Sequence, residues 1–265
     1  MSPFVRAKES IRHHFCRAAS SYDQYAHVQA EAAVWLLALA PTEATAILEI
    51  GCGTGNLTGL LVDRFPAARI TALDFAEAMV EQARAKVGEE GGVRFLCQDG
   101  EAFVRTCQER YDLVVSNATL QWFTDLAATL GHVGRLLRPE GRAVLSLFGP
   151  ASFQELATAM RRIVDPEIRL PAEGFRTAAE AEEMARGVFA EVEVARRLVR
   201  REYATFFDIL DHIRKTGTGG YHAKVPRLNR AMLGRLDQWF AEQGGYVITY
   251  EIFILNCRGA RGKKE

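Results

Sequence analysis

With 265 residues, 48% of them apolar and 25% charged, the chain has the make-up of a globular protein with one large domain, or a core carrying a sizeable insertion. Lysine plus arginine balances aspartate plus glutamate at 33 each, which speaks against a dedicated nucleic-acid binder, and no apolar run is long enough to span a bilayer. The five cysteines (Cys16, Cys52, Cys97, Cys107, Cys257) form no CxxC pair or zinc-like spacing, and the N-terminal MSPFVRAKESIRHHF lacks the apolar stretch of a signal peptide. A reduced, cytoplasmic protein is expected, with no metal site, no membrane association and no nucleic-acid partner.

The first periodic segment is 23–40, where Val28, Ala32, Trp35, Leu36 and Leu39 recur near helical spacing and predict an amphipathic helix ended by Pro41. Five strand–helix alternations follow. The predicted strands are TAILEI, RITALD, VRFLCQD, YDLVVSN and GRAVLSLFG, the last after the Pro139–Gly141 turn. The predicted helices are NLTGLLVDRF, AEAMVEQARAKV, a weaker one near 100–108, and LAATLGHVGRLL. Continuous apolar strands alternating with helices predict a parallel sheet covered on both faces. After Gly149 the rhythm breaks. Helices are expected at 152–164, 177–188, 204–215 and 227–242, with strands at AEVEVARRLVRREY and YVITYEIFILNC. There is no internal repeat, and RGARGKKE reads as a solvated tail.

The first predicted strand runs straight into EIGCGTGNLT. Gly51, Gly53 and Gly55 allow positive φ and let a ligand approach bare backbone. The helix that opens here presents unpaired N–H groups, which suits an anion. A dinucleotide turn requires G-x-G-x-x-G, and its third glycine position is Asn56. The G-x-G-x-G spacing after Glu49 favours S-adenosylmethionine, which has no pyrophosphate to cradle. Asp74 ends the second strand, where a carboxylate can accept both ribose hydroxyls. Asp99 ends the third, with Gly100 beside it, where it can accept from an adenine amine. Either acid alone reads equally as a helix N-cap. Together with Glu49 they put acids at the carboxyl ends of three successive strands, the ligand edge of open α/β sheets.

Glu49 through Gly55, Asp74 and Asp99 resemble the ordered motifs of class I S-adenosylmethionine-dependent methyltransferases over residues 45–150. The resemblance implies a Rossmann-like α/β fold with a seven-stranded, mostly parallel sheet and an antiparallel last strand. It implies Glu49 and the glycines at the methionine moiety, Asp74 at the ribose, Asp99 at the adenine, Phe75 and Met79 against the adenosine, and Asn117 at the methionine end. Four further stretches, HFCRAASSYDQYAHVQ, SNATLQW, LSLFGPASFQEL and DILDHIRKTGTGG, are similar to the malonyl-acyl-carrier-protein O-methyltransferase family of biotin synthesis. That family methylates the free carboxylate of a malonyl thioester to prime pimeloyl assembly.

The division implied is a helical lid over 1–42, a cofactor core over 43–150, further parts of the same domain with inserted helices over 151–258, and a tail over 259–265. A carboxylate is already ionised at neutral pH, so no general base is nominated; His222 reads as an exposed loop histidine. Gripping that carboxylate requires donors. Tyr22 is the first choice, then Tyr25, with Gln121 and Trp122 opening the acceptor pocket. An acidic carrier protein, or coenzyme A, as the thioester's other half fits a local basic block between Arg196 and Arg230, in which Arg214, Lys215, Arg227 and Arg230 are the expected contacts. A methyltransferase of another small acid or quinone-type ring, and a cofactor-binding scaffold without activity, remain open on the sequence.

Overall fold

In the computed structural model of the chain the described residues are 3–89, 92–216 and 228–261; His222, Lys224 and Arg227 lie outside them. Three helices come first: α1 (Pro3–Ala18), the single turn α2 (Tyr22–Tyr25) and α3 (His27–Ala38). The alternation follows as β1 (Ala46–Ile50), α4 (Asn56–Arg64), β2 (Arg69–Asp74), α5 (Glu77–Val87), β3 (Val93–Cys97), α6 (Gly100–Thr106), β4 (Tyr111–Asn117), a 3-10 turn (Leu120–Trp122), α7 (Leu126–Leu136) and β5 (Leu137–Phe148). The remainder is α8 (Gln154–Ile163), α9 (Ala178–Arg186), β6 (Phe189–Tyr203), α10 (Phe206–Lys215), α11 (Arg230–Glu242) and β7 (Tyr246–Ala260), with a second 3-10 turn at Pro171–Gly174.

The seven strands form one sheet in the order β3-β2-β1-β4-β5-β7-β6. β7 enters between β5 and β6 and runs antiparallel to both, while the other pairings are parallel. The order reverses between β1 and β4, and at that switch point the carboxyl ends of the strands part to leave a crevice. All five residues of β1 are buried. That is why its sequence is a continuous apolar run broken only by Glu49.

Two apolar layers cover the sheet. One joins Leu48, Ile50, Val114 and Leu145 to α7 and α9, and the other joins Ile47, Ile70, Val115 and Ile254 to α4 and α5. A third cluster sets Val28 and Ala32 of α3 against α8, α10, α11 and β7.

The amphipathic helix expected over 23–40 is present as α3 but is shorter. It starts after a break at Ala26, and Val28, Gln29, Ala32, Ala33 and Leu36 are buried on more than one side. Ala33 and Leu36 belong to the second apolar layer while Val28 and Ala32 belong to the third cluster, so the helix is wedged between two cores and leaves His27, Ala30, Glu31, Val34 and Ala38 exposed along one face. β5 begins at Leu137, ahead of the Pro139–Gly141 turn: Leu137 already pairs with Tyr111, the register shifts before Arg142 pairs with Leu113, and a Cβ at Gly141 would lie 2.9 Å from the Tyr111 carbonyl oxygen. β7 continues through Gly259 to Ala260, which pairs with Phe189, and the Arg261 N–H donates to the Val188 carbonyl at 2.7 Å. The chain is therefore still ordered where the tail was expected to start.

Candidate active site

The turn after β1 is hung on the end of β2. The Gly51 and Cys52 N–H groups both donate to the Leu73 carbonyl, at 2.7 and 2.9 Å, and the Gly53 N–H donates to Asp74 Oδ2 at 3.0 Å. Spending three neighbouring amides on one strand end twists the backbone into left-handed space at Gly51 (φ 80°), Gly53 (φ 53°) and Gly55 (φ 85°). At Gly51 a side chain has no room, since a Cβ there would lie 2.2 Å from Thr119 Oγ1. Gly55 serves the helix instead: it is the N-cap of α4, and a Cβ would press on Ala83 at 3.1 Å.

A cavity opens over this turn. Glu49, Gly51, Gly53, Asp74, Phe75, Met79, Asp99, Gly100 and Asn117 line it, as do Tyr22 and Trp122. Nine of the ten residues expected at the cofactor are thus brought together, Gly55 lying behind the wall. Glu49 is 1% exposed, and Thr58 Oγ1 donates to it at 2.7 Å. Burial drives its carboxyl up to about 7, against the Thr58 bond and with help from the nearby Asp74 charge. Burial also raises Asp74, to about 6, although the Ala76 and Gly53 N–H groups stabilise its ionised form. Asp99 behaves oppositely. The Lys8 ammonium, 2.7 Å away, and the Ala102 N–H hold it below the ordinary carboxylate range despite partial burial. Asp99 stands two residues beyond β3 and is the N-cap of α6.

The N-terminal helices close the cavity from above. Phe15, Cys16 and Tyr22 pack on Phe75 and Met79. Tyr22 lines this first cavity, and burial together with the Asp74 and Asp23 charges raises its phenol pKa, so its hydroxyl stays protonated. Asp23 latches the lid to the glycine turn: Oδ1 accepts from Thr54 Oγ1 (2.5 Å) and Asn56 Nδ2 (2.9 Å), and Oδ2 accepts from Lys86 Nζ (2.5 Å). Lys8 binds Asp99 and Glu101 together and sits 5.7 Å from the centre of the Phe123 ring.

A second, mostly apolar cavity of about 230 Å³ adjoins the first, built by Phe148, Phe153, Leu156, Met160, Phe175 and others. Gln29 and Trp122 line both cavities. The Trp122 ring stands edge-on to Phe15 (6.3 Å) and to Phe175 (5.2 Å), one on each side of it.

Two expected acceptor contacts lie elsewhere. Tyr25 lines neither cavity and accepts a hydrogen bond from Lys215, whose ammonium lies 4.3 Å from the ring centre. Gln121 also lines neither, and its amide donates at 2.7 Å to the Ala118 carbonyl. Lys8, Phe15, Asp23 and Gln29 were not singled out from the sequence. Asp23 and Gln29 stand in the quoted stretch HFCRAASSYDQYAHVQ, yet nothing in its spacing marks them.

A methyltransferase-domain family profile matches residues 47–141, the span that carries the glycine turn and all three acids. Over nearly the whole chain the protein is 35% identical to malonyl-[acyl-carrier protein] O-methyltransferase of Acetivibrio thermocellus, covering 95% of this chain and 94% of that one. It is also 35% identical to the enzyme of the same name from Anoxybacillus flavithermus, covering 93% and 96%. The chain belongs to this family. Among solved structures, DhpI in complex with SAH shares the fold, with a TM-score of 0.56 at 18% identity over 96% of this chain and 98% of that one.

The latch generates the first prediction. Asp23→Ala removes the acceptor shared by Thr54, Asn56 and Lys86. Amide exchange over residues 8–26 is expected to speed up about tenfold, the cost of one charge-assisted hydrogen bond. Exchange in β1 and β4 is expected to stay the same. Mass-spectrometric hydrogen exchange reads both regions at once, and unchanged protection over 8–26 would show that Asp23 does not hold the lid.

Proposed function

We propose that the protein transfers a methyl group from S-adenosylmethionine to the free carboxylate of a malonyl thioester on acyl carrier protein, giving the methyl ester that primes pimeloyl synthesis for biotin. The observation that carries this reading is the whole-length family likeness. It extends past the methyltransferase core into the residues of α8, α10 and β7 that build the second cavity.

The first cavity fits the donor. Its glycine turn leaves open space at Gly53, where a Cβ would meet nothing within 4 Å, and its three acids suit an ammonium, a ribose and an adenine amine. On this reading Glu49, Gly51, Gly53 and Asn117 hold the methionine end, Asp74 the ribose, and Asp99 and Gly100 the adenine, with Phe75 and Met79 flanking the adenosine. The bound sulfonium supplies an electrophilic methyl group. The acceptor is already an anion, so the chain's task is alignment and exclusion of water. Phe15, Tyr22 and Trp122 provide the dry roof. The 1–42 segment then acts as a lid on a core of 43–150, and the later helices shape the acceptor side. Among the described residues no helix is long and apolar enough to cross a membrane, and all five cysteines are unpaired. A reducing cytoplasm suits them.

The proposed carrier surface is narrower than the basic block in the sequence. Lys215 is engaged by Asp211 at 2.6 Å and by Tyr25, so it pins α10 to the lid. Arg214 projects further, with its side chain 75% exposed although it touches Asp211. Arg230 is exposed in the first turn of α11, where a cation opposes the helix dipole and so serves no local stability.

Three outcomes test the reading. A methyl-transfer assay offering malonyl-carrier protein, malonyl-coenzyme A and free malonate should give fastest turnover with the carrier-bound thioester; transfer to free malonate alone would overturn it. The donor's affinity should weaken about tenfold as the pH falls from about 8 to about 6, because a Glu49 held near 7 must lose its proton to face an ammonium. The same raised carboxyls make the ligand-free fold lose stability as pH rises from the usual carboxylate range toward 7. Calorimetry across that range checks the binding slope, and a flat profile would dismiss an ionised Glu49 at the donor. The double reversal Arg214→Glu with Arg230→Glu should raise KM for carrier-bound substrate about tenfold and leave donor affinity alone. Equal KM values would remove this face as the docking surface.

A further inference from the structure

Among the described residues lining the second cavity, Gln29 alone has a buried side-chain atom with no hydrogen-bond partner. Gln29 is 7% exposed, and its buried Oε1 has no hydrogen-bond partner. The other buried unpaired atoms belong to Gln121, Arg201, Trp239 and Asn256, none of which lines either cavity. The backbone of Gln29 is fixed all the same. Asn117 Nδ2 donates to its carbonyl at 2.9 Å, and Ser146 Oγ donates to Asn117 Oδ1 at 2.6 Å. A tethered residue therefore holds an amide with no partner among the described residues where the two cavities meet, and its N–H₂ is the end that an accepting ligand can satisfy. Oε1 is the sealed end, and no acceptor among those residues takes the N–H₂.

The rest of the second cavity's polar wall is spoken for or neutral. The Tyr250 hydroxyl pairs with that of Tyr203 at 2.8 Å, and Thr216 Oγ1 donates to the His212 carbonyl at 2.9 Å. Burial lowers His212 to about 4, which keeps it uncharged at neutral pH. Among the described residues no lysine, arginine, aspartate or glutamate lines this cavity.

We propose that Gln29 is the residue that grips the acceptor's carboxylate, its amide N–H donating to the oxygen that is not methylated, while the apolar second cavity takes the thioester end. This rests on the malonyl-thioester reading above. A carboxylate suits the position because it accepts hydrogen bonds only, as the free N–H₂ requires. An amide brings no charge of its own, so the positive charge that balances the acid comes from the donor in the neighbouring cavity, and the acid binds well only to the donor-loaded protein.

Gln29→Leu and Gln29→Glu test it, with two readouts. The first is steady-state methylation of malonyl-carrier protein. The second is calorimetric binding of a malonyl thioester to protein loaded with an unreactive donor analogue in which an amine replaces the sulfonium. Gln29→Leu should raise KM and weaken thioester binding by about tenfold each, with donor affinity within about twofold of wild type. Gln29→Glu, of the same shape, should bind the acid more weakly still and regain binding as the pH falls and its carboxyl becomes a donor. A residue that merely supports the fold would lower donor affinity and thioester affinity together and show no such recovery. Wild-type thioester binding in Gln29→Leu, or equal losses for donor and acceptor, overturns the assignment to Gln29 and leaves the proposed function standing. A wild-type protein that binds the donor and methylates no malonyl thioester removes both.

Discussion

The site depends on three backbone amides that the glycine turn gives to the end of the second strand. Gly51 and Cys52 share the Leu73 carbonyl, and Gly53 reaches the Asp74 carboxylate. Those bonds make β1, β2 and the turn one stiff edge. They also set the left-handed backbone that only glycine adopts without strain. Neighbouring elements close on that edge from two sides. Ser116 Oγ donates to the Ile50 carbonyl at 2.7 Å, and Thr119 fills the space beside Gly51. The turn is thus held by more contacts than its own sequence supplies, and that surplus fixes the buried Glu49 and half-buried Asp74 at the strand ends.

Charge explains why there are two cavities and not one. Glu49, Asp74 and Asp99 all line the first. An acid acceptor placed among them would meet like charge, and two unit charges about 4 Å apart repel by about 4 kcal/mol at the effective dielectric of a protein site. The second cavity has no acid among its described lining residues and approaches the first behind Trp122. An anionic acceptor entering that way meets an aromatic edge and a neutral amide before it meets any carboxylate. The separation is built from distant parts of the chain: Trp122 follows β4, Gln29 opens α3, and the apolar walls come from α8, α10 and β7.

That mixed origin sets the limit of what the sequence discloses. The inner parallel strands were legible because both faces of a parallel sheet are buried, which writes an apolar run into β1, β2 and β4; RITALD and YDLVVSN match β2 and β4 residue for residue. The glycine turn and its acids were legible because each sits at a fixed distance from a strand end. Gln29, Lys8 and Asp23 follow no such rule. Each belongs to an N-terminal helix and acquires its role only when that helix lands on a sheet edge far along the chain, as Lys8 does on Asp99. Tyr25 and Gln121 show the converse. Gln121 lies next to Trp122 and Tyr25 one helical turn from Tyr22, both of which line the first cavity, yet the side chain of Tyr25 meets Lys215 and that of Gln121 meets the Ala118 carbonyl. Neighbourhood in sequence does not fix where a side chain turns.

The lid's attachment follows from the same edge. Its ion pairs are partly exposed, with Lys8 and Asp99 side chains 28% and 34% accessible, and pairs in that state contribute about 1 kcal/mol or less. Apolar contact of Phe15 and Tyr22 with Phe75 and Met79 therefore holds most of the closure. Those four side chains also line the first cavity, so a donor bound there as proposed would share one apolar surface, and Asp99, with the lid. Asp99 accepts from the Ala102 N–H at Oδ1 and from Lys8 at Oδ2, so an adenine amine placed there, as proposed, would share an oxygen already bound by one of them. A lid fastened by strong buried ion pairs would have to be broken to admit the donor. A lid fastened by shared apolar surface can part and re-form around it, exchanging protein contacts for contacts with the ligand at small net cost.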